Sequence, residues 1–182
     1  MRLRRRVVEP IDILCVCTGN LCRSPIMETL LKAELPDLRI ESRGTHAPVG
    51  EPWHPLALEV LAEHGHVVSG HAQQLTAQDV HTATLVFTAE GLHRSEVVRL
   101  DPTAEERAYA LLEAARLLGA APAAPSSVEV RDLVATLRAR LRAITTEHMD
   151  DIPDPLGHPK AAFTLVADNV GAAAQELAAA LR

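Results

Sequence analysis

The sequence predicts an α/β fold, a small parallel four-stranded sheet flanked by helices on both faces. Two observations carry that expectation. Short β-like runs alternate with stretches whose apolar residues recur at helical spacing, the pattern of strands that cross over through helices into a parallel sheet. The chain also has 182 residues, of which 47% are hydrophobic, enough for one well-cored domain and short for two.

Residues 1–10 read as a flexible N-terminal extension and 11–182 as a single domain. Strand-like segments fall near Ile11–Val16, Leu38–Ser42, Thr84–Thr88 and Ala108–Leu111. Helical spacing marks Pro25–Glu34, Pro55–His64, Leu92–Val98 and Leu112–Leu118. The run from Gly119 to Ser127, rich in alanine, proline and serine, has the composition of a flexible connector. Ser127 is placed to cap an arginine-rich helix from Val128 to about Ile144. Residues 119–149 therefore read as an inserted connector and helix, with lid, partner surface and plain insertion all open. Residues 161–182 form a final amphipathic helix that packs back on the sheet.

Between the first strand and the first helix stand Cys17-Thr18-Gly19-Asn20-Leu21-Cys22-Arg23-Ser24, followed by Pro25. Strand, tight loop and helix N-terminus together hold anions: the amides of a curled loop converge, and the helix dipole adds partial positive charge. Arg23 adds a planar fork that grips two phosphoryl oxygens at once. Gly19 and Asn20 suit the bend, asparagine because it tolerates left-handed backbone. Cys17 supplies a sulfur at the base of the loop, where the same positive surroundings favour a thiolate. The segment reads as a phosphate-binding loop after strand 1, built for nucleophilic phosphate chemistry. The competing reading is a buried strand cysteine followed by a helix arginine, and the strand-to-helix context favours the former.

The loop resembles the active-site loop of the low-molecular-weight protein tyrosine phosphatases, of the bacterial type. Ser42-Arg43-Gly44-Thr45, Gly50-Glu51-Pro52, Gln74-Leu75-Thr76 and Asp154-Pro155 resemble further family segments in the family's order. The resemblance implies a cytoplasmic hydrolase that cleaves phosphotyrosine on a phosphorylated protein substrate through a cysteinyl-phosphate intermediate, without cofactor or metal. It implies that Cys17 is the nucleophile and that Ser24 donates a hydrogen bond to its sulfur. Arg23 then holds the equatorial oxygens of a loose transition state. Asp154 is the candidate acid that protonates the leaving oxygen and later activates water; Pro153 and Pro155 stiffen its loop. Asp150 and Asp151 compete for that role, and Asp154 also suits a plain turn. Cys22 reads either as a small core residue or, as in related phosphatases, as a resolving thiol that captures oxidised Cys17. Cys15 reads as core. Leu156 stands where the family places an aromatic ring, and Ala47 near the place of an aromatic wall. Leu21 matches members acting on phosphotyrosine, since those acting on phosphoarginine carry threonine there.

Composition narrows the remaining classes. Net charge is −6 and pI about 5.8, which argues against a general nucleic-acid surface. No run approaches the length of a membrane span, and the basic start, Arg2 to Arg6, lacks the apolar region of a secretory signal. The three cysteines form Cys-x-Cys-x4-Cys, without the paired spacing of a zinc site, and a free catalytic thiol suits a reducing compartment. His64, His66, His71 and His93 read mostly as solvated or capping residues, and Trp53 and Tyr109 as packing residues. Three rival functions remain on the table. An arsenate reductase needs downstream cysteines, and none follows Cys22. A protein arginine phosphatase is weakened by Leu21. A non-catalytic phosphate-binding module would not need Cys17, Arg23, Ser24 and Asp154 together.

Overall fold

The computed structural model describes residues 10–119, 129–141 and 150–181. Residues 1–9 and the connector 120–128, with its cap Ser127, lie outside the described residues. Four parallel strands, β1 (Ile11–Cys17), β2 (Ile40–Gly44), β3 (Ala83–Thr88) and β4 (Ala108–Ala110), pair in the order β2-β1-β3-β4. Side chains alternate across the sheet, so β1 feeds two cores. Ile13, Cys15 and Cys17 join one with Leu85, Phe87 and Tyr109, while Leu14 and Val16 join the other with Val86 and Ala108. Burial on both faces is why β1, β3 and β4 are mostly apolar, while the edge strand β2 alternates buried positions with the half-buried Glu41 and Arg43.

Seven α-helices appear among the described residues: α1 (Arg23–Glu34), α2 (Pro55–Glu63), α3 (Ala77–Thr82), α4 (Gly91–Leu100), α5 (Leu111–Gly119), α6 (Val130–Leu141) and α7 (Lys160–Leu181). The first face is covered by α1, α2, α5 and α7, whose buried residues include Ile26, Leu61, Ala114 and Phe163. Leu133 and Leu137 of α6 enter the same cluster. The opposite face takes Val80 of α3, Val97 of α4 and Ala104 of a short 3-10 turn over Pro102–Glu106. No described helix is long and apolar enough to cross a membrane.

Departures from the sequence expectation have local causes. The α1 helix begins at Arg23 rather than Pro25, and a proline is tolerated anywhere in a first turn because those N–H groups have no helical partner. The second strand begins at Ile40, two residues later than expected, because Leu38 N closes a turn onto the Leu35 carbonyl at 3.2 Å. The α3 helix was not expected, having only Val80 as a buried apolar residue. It is nucleated instead by a capping box, in which the Thr76 hydroxyl accepts from Asp79 N and the Asp79 carboxylate accepts from Thr76 N.

The strand order reverses at β1. From β1 the chain moves to β2 on one side, then crosses back to β3 on the other, so the crevice beyond the C-terminal ends of β1 and β3 is the switch point where such sheets bind ligands. The 17–24 loop lies there. A cavity of about 590 Å³ at the opposite ends of the strands, lined by Asp12, Leu38 and Thr84, is larger but holds none of the candidate site residues.

Candidate active site

The loop starts from the last residue of β1, whose backbone is already paired. Cys17 O accepts from Thr45 N at 2.9 Å and Thr18 O from His46 N at 2.8 Å, so the chain leaving β2 braces the loop from outside. Gly44 makes this approach close: a Cβ there would lie 2.6 Å from Thr18 O and 2.8 Å from Asn20 N. The bend turns on Asn20, which has φ 54°, a left-handed conformation that asparagine accepts. Its amide also organises the interior of the loop. Nδ2 donates to Ser24 Oγ at 2.9 Å and to Ser42 Oγ at 2.8 Å, and Oδ1 accepts from Gln73 N at 2.9 Å. The Ser42 hydroxyl in turn donates to Glu28 Oε2 at 2.5 Å.

These bonds decide what Ser24 does. Its oxygen accepts from Asn20, leaving one proton and two acceptors, Cys17 Sγ at 3.0 Å and Arg43 O at 3.3 Å. A thiolate has no proton to give, so an ionised Cys17 can only receive from Ser24, and a charged acceptor makes the stronger bond. The α1 helix adds its dipole. Its N-cap, Cys22, makes no side-chain capping bond, so the first-turn amides keep no side-chain acceptor of their own.

Arg23 is buried, with a side chain 3% exposed. Nη1 pairs with Glu90 Oε1 and donates to Ile152 O at 3.3 Å; Nη2 donates to Asp154 Oδ2 at 2.7 Å and to Thr18 Oγ1 at 3.4 Å. The guanidinium is thus fixed from behind by one carboxylate while its other end shares the cleft with a second. Asp154 reaches the site because Ile152 is fully buried and its N–H donates to Ala89 O at 2.7 Å, anchoring the loop to the end of β3. The turn and site readings of Asp154 hold together: Oδ1 accepts from Leu156 N at 3.1 Å while Oδ2 takes Arg23. The neighbouring carboxylates are engaged elsewhere, Asp150 with Arg116 at 2.6 Å and Asp151 with Gly91 N at 2.9 Å.

Cys17, Thr18, Gly19, Leu21, Cys22, Arg23 and Asp154 line one cleft of about 240 Å³, with His46, Pro48 and Leu156 at its rim. Asn20 and Ser24 are buried behind it. Among the described residues no Phe, Tyr or Trp side chain lines the cleft. Trp53 is buried against Gly70, where a Cβ would fall 2.5 Å from the ring, and Tyr109 is core with its hydroxyl donating to Glu106 O at 3.1 Å. Burial lifts the Cys15 thiol well above its ordinary value, and burial together with the Cys17 charge pushes Cys22 up to about 12.

Two site residues escape sequence reading. Glu90 lies in a short turn after β3, where the only signal is an acidic residue at the carboxyl end of a parallel strand. His93 was expected among the solvated or capping histidines and is not one of them. It is 4% exposed on α4, and its Nε2 lies 2.8 Å from Thr18 Oγ1. His64 does sit at a helix end, bonded to Val60 O and Asp168.

Residues 12–114 match the family model for low molecular weight phosphotyrosine protein phosphatases. The protein-tyrosine-phosphatase Etp of Escherichia coli K12 is 42% identical over 92 residues, covering 50% of this chain and 62% of that one. The probable protein-tyrosine-phosphatase AmsI of Erwinia amylovora is 45% identical over 93 residues, covering 50% and 65%. The chain thus matches just under two thirds of the length of these curated relatives. Among solved structures, the Erwinia amylovora tyrosine phosphatase AmsI superposes with TM-score 0.72 at 29% identity over 99% of both chains. The YwlE arginine phosphatase of Geobacillus stearothermophilus gives TM-score 0.70 at 26% identity over 93% of this chain and 91% of its own. The matched segment holds the whole 17–24 loop and spans more than half of the sequence, and the chain belongs to the low molecular weight phosphotyrosine protein phosphatase family.

Proposed function

We propose that the protein is a cysteine-dependent phosphomonoesterase that acts on phosphotyrosine in protein substrates. The observation that carries this reading is the cluster of Cys17, Ser24, Arg23 and Asp154 around one cleft at the strand ends. Cys17 Sγ attacks phosphorus while the bond to the leaving oxygen breaks, and Asp154 hands that oxygen a proton. The resulting cysteinyl phosphate is hydrolysed by a water whose proton Asp154 takes back, which restores the thiolate and the acid. A phosphoryl group entering the loop competes with Asp154 for Arg23, so substrate binding itself releases the carboxyl for its task. Such a mechanism needs a reduced Cys17 and fits a cytoplasmic enzyme.

Leu21 in the cleft supports the tyrosine ester, as do the relatives named above. The rim of His46, Pro48 and Leu156 carries no Phe, Tyr or Trp ring, and the likeness to an arginine phosphatase keeps phosphoarginine as the second reading. The test is a side-by-side measurement of kcat/KM on phosphotyrosine, phosphoserine and phosphoarginine peptides. Phosphotyrosine is expected to lead. A preference for phosphoarginine transfers the assignment to that second reading, and phosphate binding without turnover of any peptide leaves a binding module.

A further inference from the structure

His93 presents a bonding problem that the reaction as described does not use. Its ring is buried, Nε2 meets the Thr18 hydroxyl at 2.8 Å, and Nδ1 is buried with no hydrogen-bond partner among the described residues. Thr18 is exposed to the cleft, and its oxygen also receives Arg23 Nη2 at 3.4 Å. Three proton arrangements are conceivable for the ring. An imidazolium would bury a charge and leave an N–H without an acceptor. Burial lowers the basicity of the ring, Arg23 adds to this, and Glu90, Asp151 and Asp154 oppose it without reversing it. A neutral ring protonated on Nδ1 leaves that N–H orphaned and consumes the Thr18 proton in a bond to Nε2. A neutral ring protonated on Nε2 leaves only an acceptor unpaired, and its N–H donates to Thr18. Orphaned buried donors are the rarer defect.

We propose that His93 is a positioning residue held as the neutral Nε2–H tautomer, whose bond to Thr18 turns the threonine hydroxyl proton into the cleft as a donor to a phosphate-ester oxygen. With Nε2–H and Arg23 Nη2 both donating to Thr18 Oγ1, its two lone pairs are occupied. The hydroxyl proton then has one direction left, toward the cleft that Thr18 lines with Cys17 and Arg23. His93 thereby acts through Thr18 and touches no substrate. The sheet explains why this pair meets: Thr18 follows the end of β1 and His93 lies in the first turn of the helix after β3, and these strands are neighbours at the switch point.

The inference rests on the reading of the cleft as a phosphate site, and its test separates the two. Long-range proton–nitrogen NMR of the full-length enzyme at neutral pH reads the tautomer directly, without activity. The expected spectrum has His93 Nε2 protonated and Nδ1 bare; a protonated Nδ1, alone or with Nε2, overturns the proposal. Binding of inorganic phosphate then tests the hydroxyl. Thr18→Val and His93→Phe are each expected to weaken it about 10- to 100-fold, the loss of one hydrogen bond to a charged group. The double variant should be no weaker than either single one, because both remove the same donor. His93→Gln, which keeps an N–H near Nε2, should recover most of the loss. Unchanged binding in Thr18→Val, additive losses, or no recovery in His93→Gln at unchanged melting temperature would each overturn it. If wild type binds phosphate with the expected tautomer yet hydrolyses no phosphomonoester, the functional reading fails and the positioning role stands.

Discussion

A single proton on Ser24 and a single fork on Arg23 decide how the loop handles charge. Ser24 accepts from Asn20, which leaves its one proton for the Arg43 carbonyl or, when Cys17 is ionised, for the sulfur; Arg23 is held by Glu90 and so points its other nitrogen at the cleft and Asp154. If Asp154 is the acid, Asp154→Asn slows aryl phosphates with poor leaving groups by roughly 100-fold or more. It affects p-nitrophenyl phosphate far less, because that phenolate departs with little help. Equal losses for both leaving groups would reassign the acid. Cys22 makes a second residue-scale prediction. Its thiol is raised to about 12 by burial first and by the Cys17 charge second, so very little is thiolate at neutral pH. Peroxide oxidises the Cys17 thiolate to a neutral sulfenic acid and removes that charge; attack by Cys22 then forms a disulfide and expels water. Reversible inactivation is expected, with disulfide formation quickening as pH rises toward the Cys22 value. Peptide mapping that finds only irreversibly oxidised Cys17 would remove Cys22 from this chemistry.

Elements place these residues by how they end. The β2 strand ends on Gly44 against the loop backbone, so Gly44→Ala drives a Cβ into Thr18 O and Asn20 N, backbone atoms that cannot rotate away. The loop must shift, and kcat/KM is expected to fall on the order of 100-fold, the cost of misplacing reacting groups by about 1 Å. A variant with wild-type kcat/KM would show that the loop tolerates the displacement. The corner joining α4 to β4 is held by Asp101, which accepts from Thr103 Oγ1 at 2.7 Å, Thr103 N at 3.0 Å and Arg107 Nη2 at 3.0 Å. The Thr103 bonds first, with Arg107, hold its carboxyl down at about 2, below about 3.9 in an unfolded chain. A depressed carboxylate contributes stability that is complete above the unfolded value and lost as pH falls from about 4 toward about 2. Asp101→Asn should therefore lower melting temperature at neutral pH and narrow its gap to wild type in that acid window; a gap independent of pH would contradict the assignment. These ends also explain what sequence reading found and missed. The β1 and β3 strands were legible because burial on both faces leaves apolar runs such as Ile13 to Val16. The α3 helix was hidden because its start depends on Thr76 and Asp79 capping each other, which hydrophobic spacing does not register.

For the whole molecule, the site is a consequence of topology. Cys17 to Ser24 are contiguous, so the cysteine, the arginine fork and the bend could be read in the sequence as one segment. Asp154 was legible from its flanking prolines and the resemblance, although 131 residues separate it from Arg23. Glu90 and His93 were not legible, because their roles arise only when β3 lies beside β1 and brings the start of α4 to the back of the loop. The cleft's apolar rim likewise depends on loops from distant parts of the chain meeting at Pro48 and Leu156. In the proposed mechanism phosphate passes through Cys17, and a rapid denaturing quench during turnover of a radiolabelled phosphotyrosine peptide would trap it there. Peptide mapping should place the label on sulfur of the fragment containing Cys17, and Cys17→Ala should bind phosphate yet carry no label and release no product. Steady turnover with no label on Cys17, or turnover surviving in Cys17→Ala, would contradict the account.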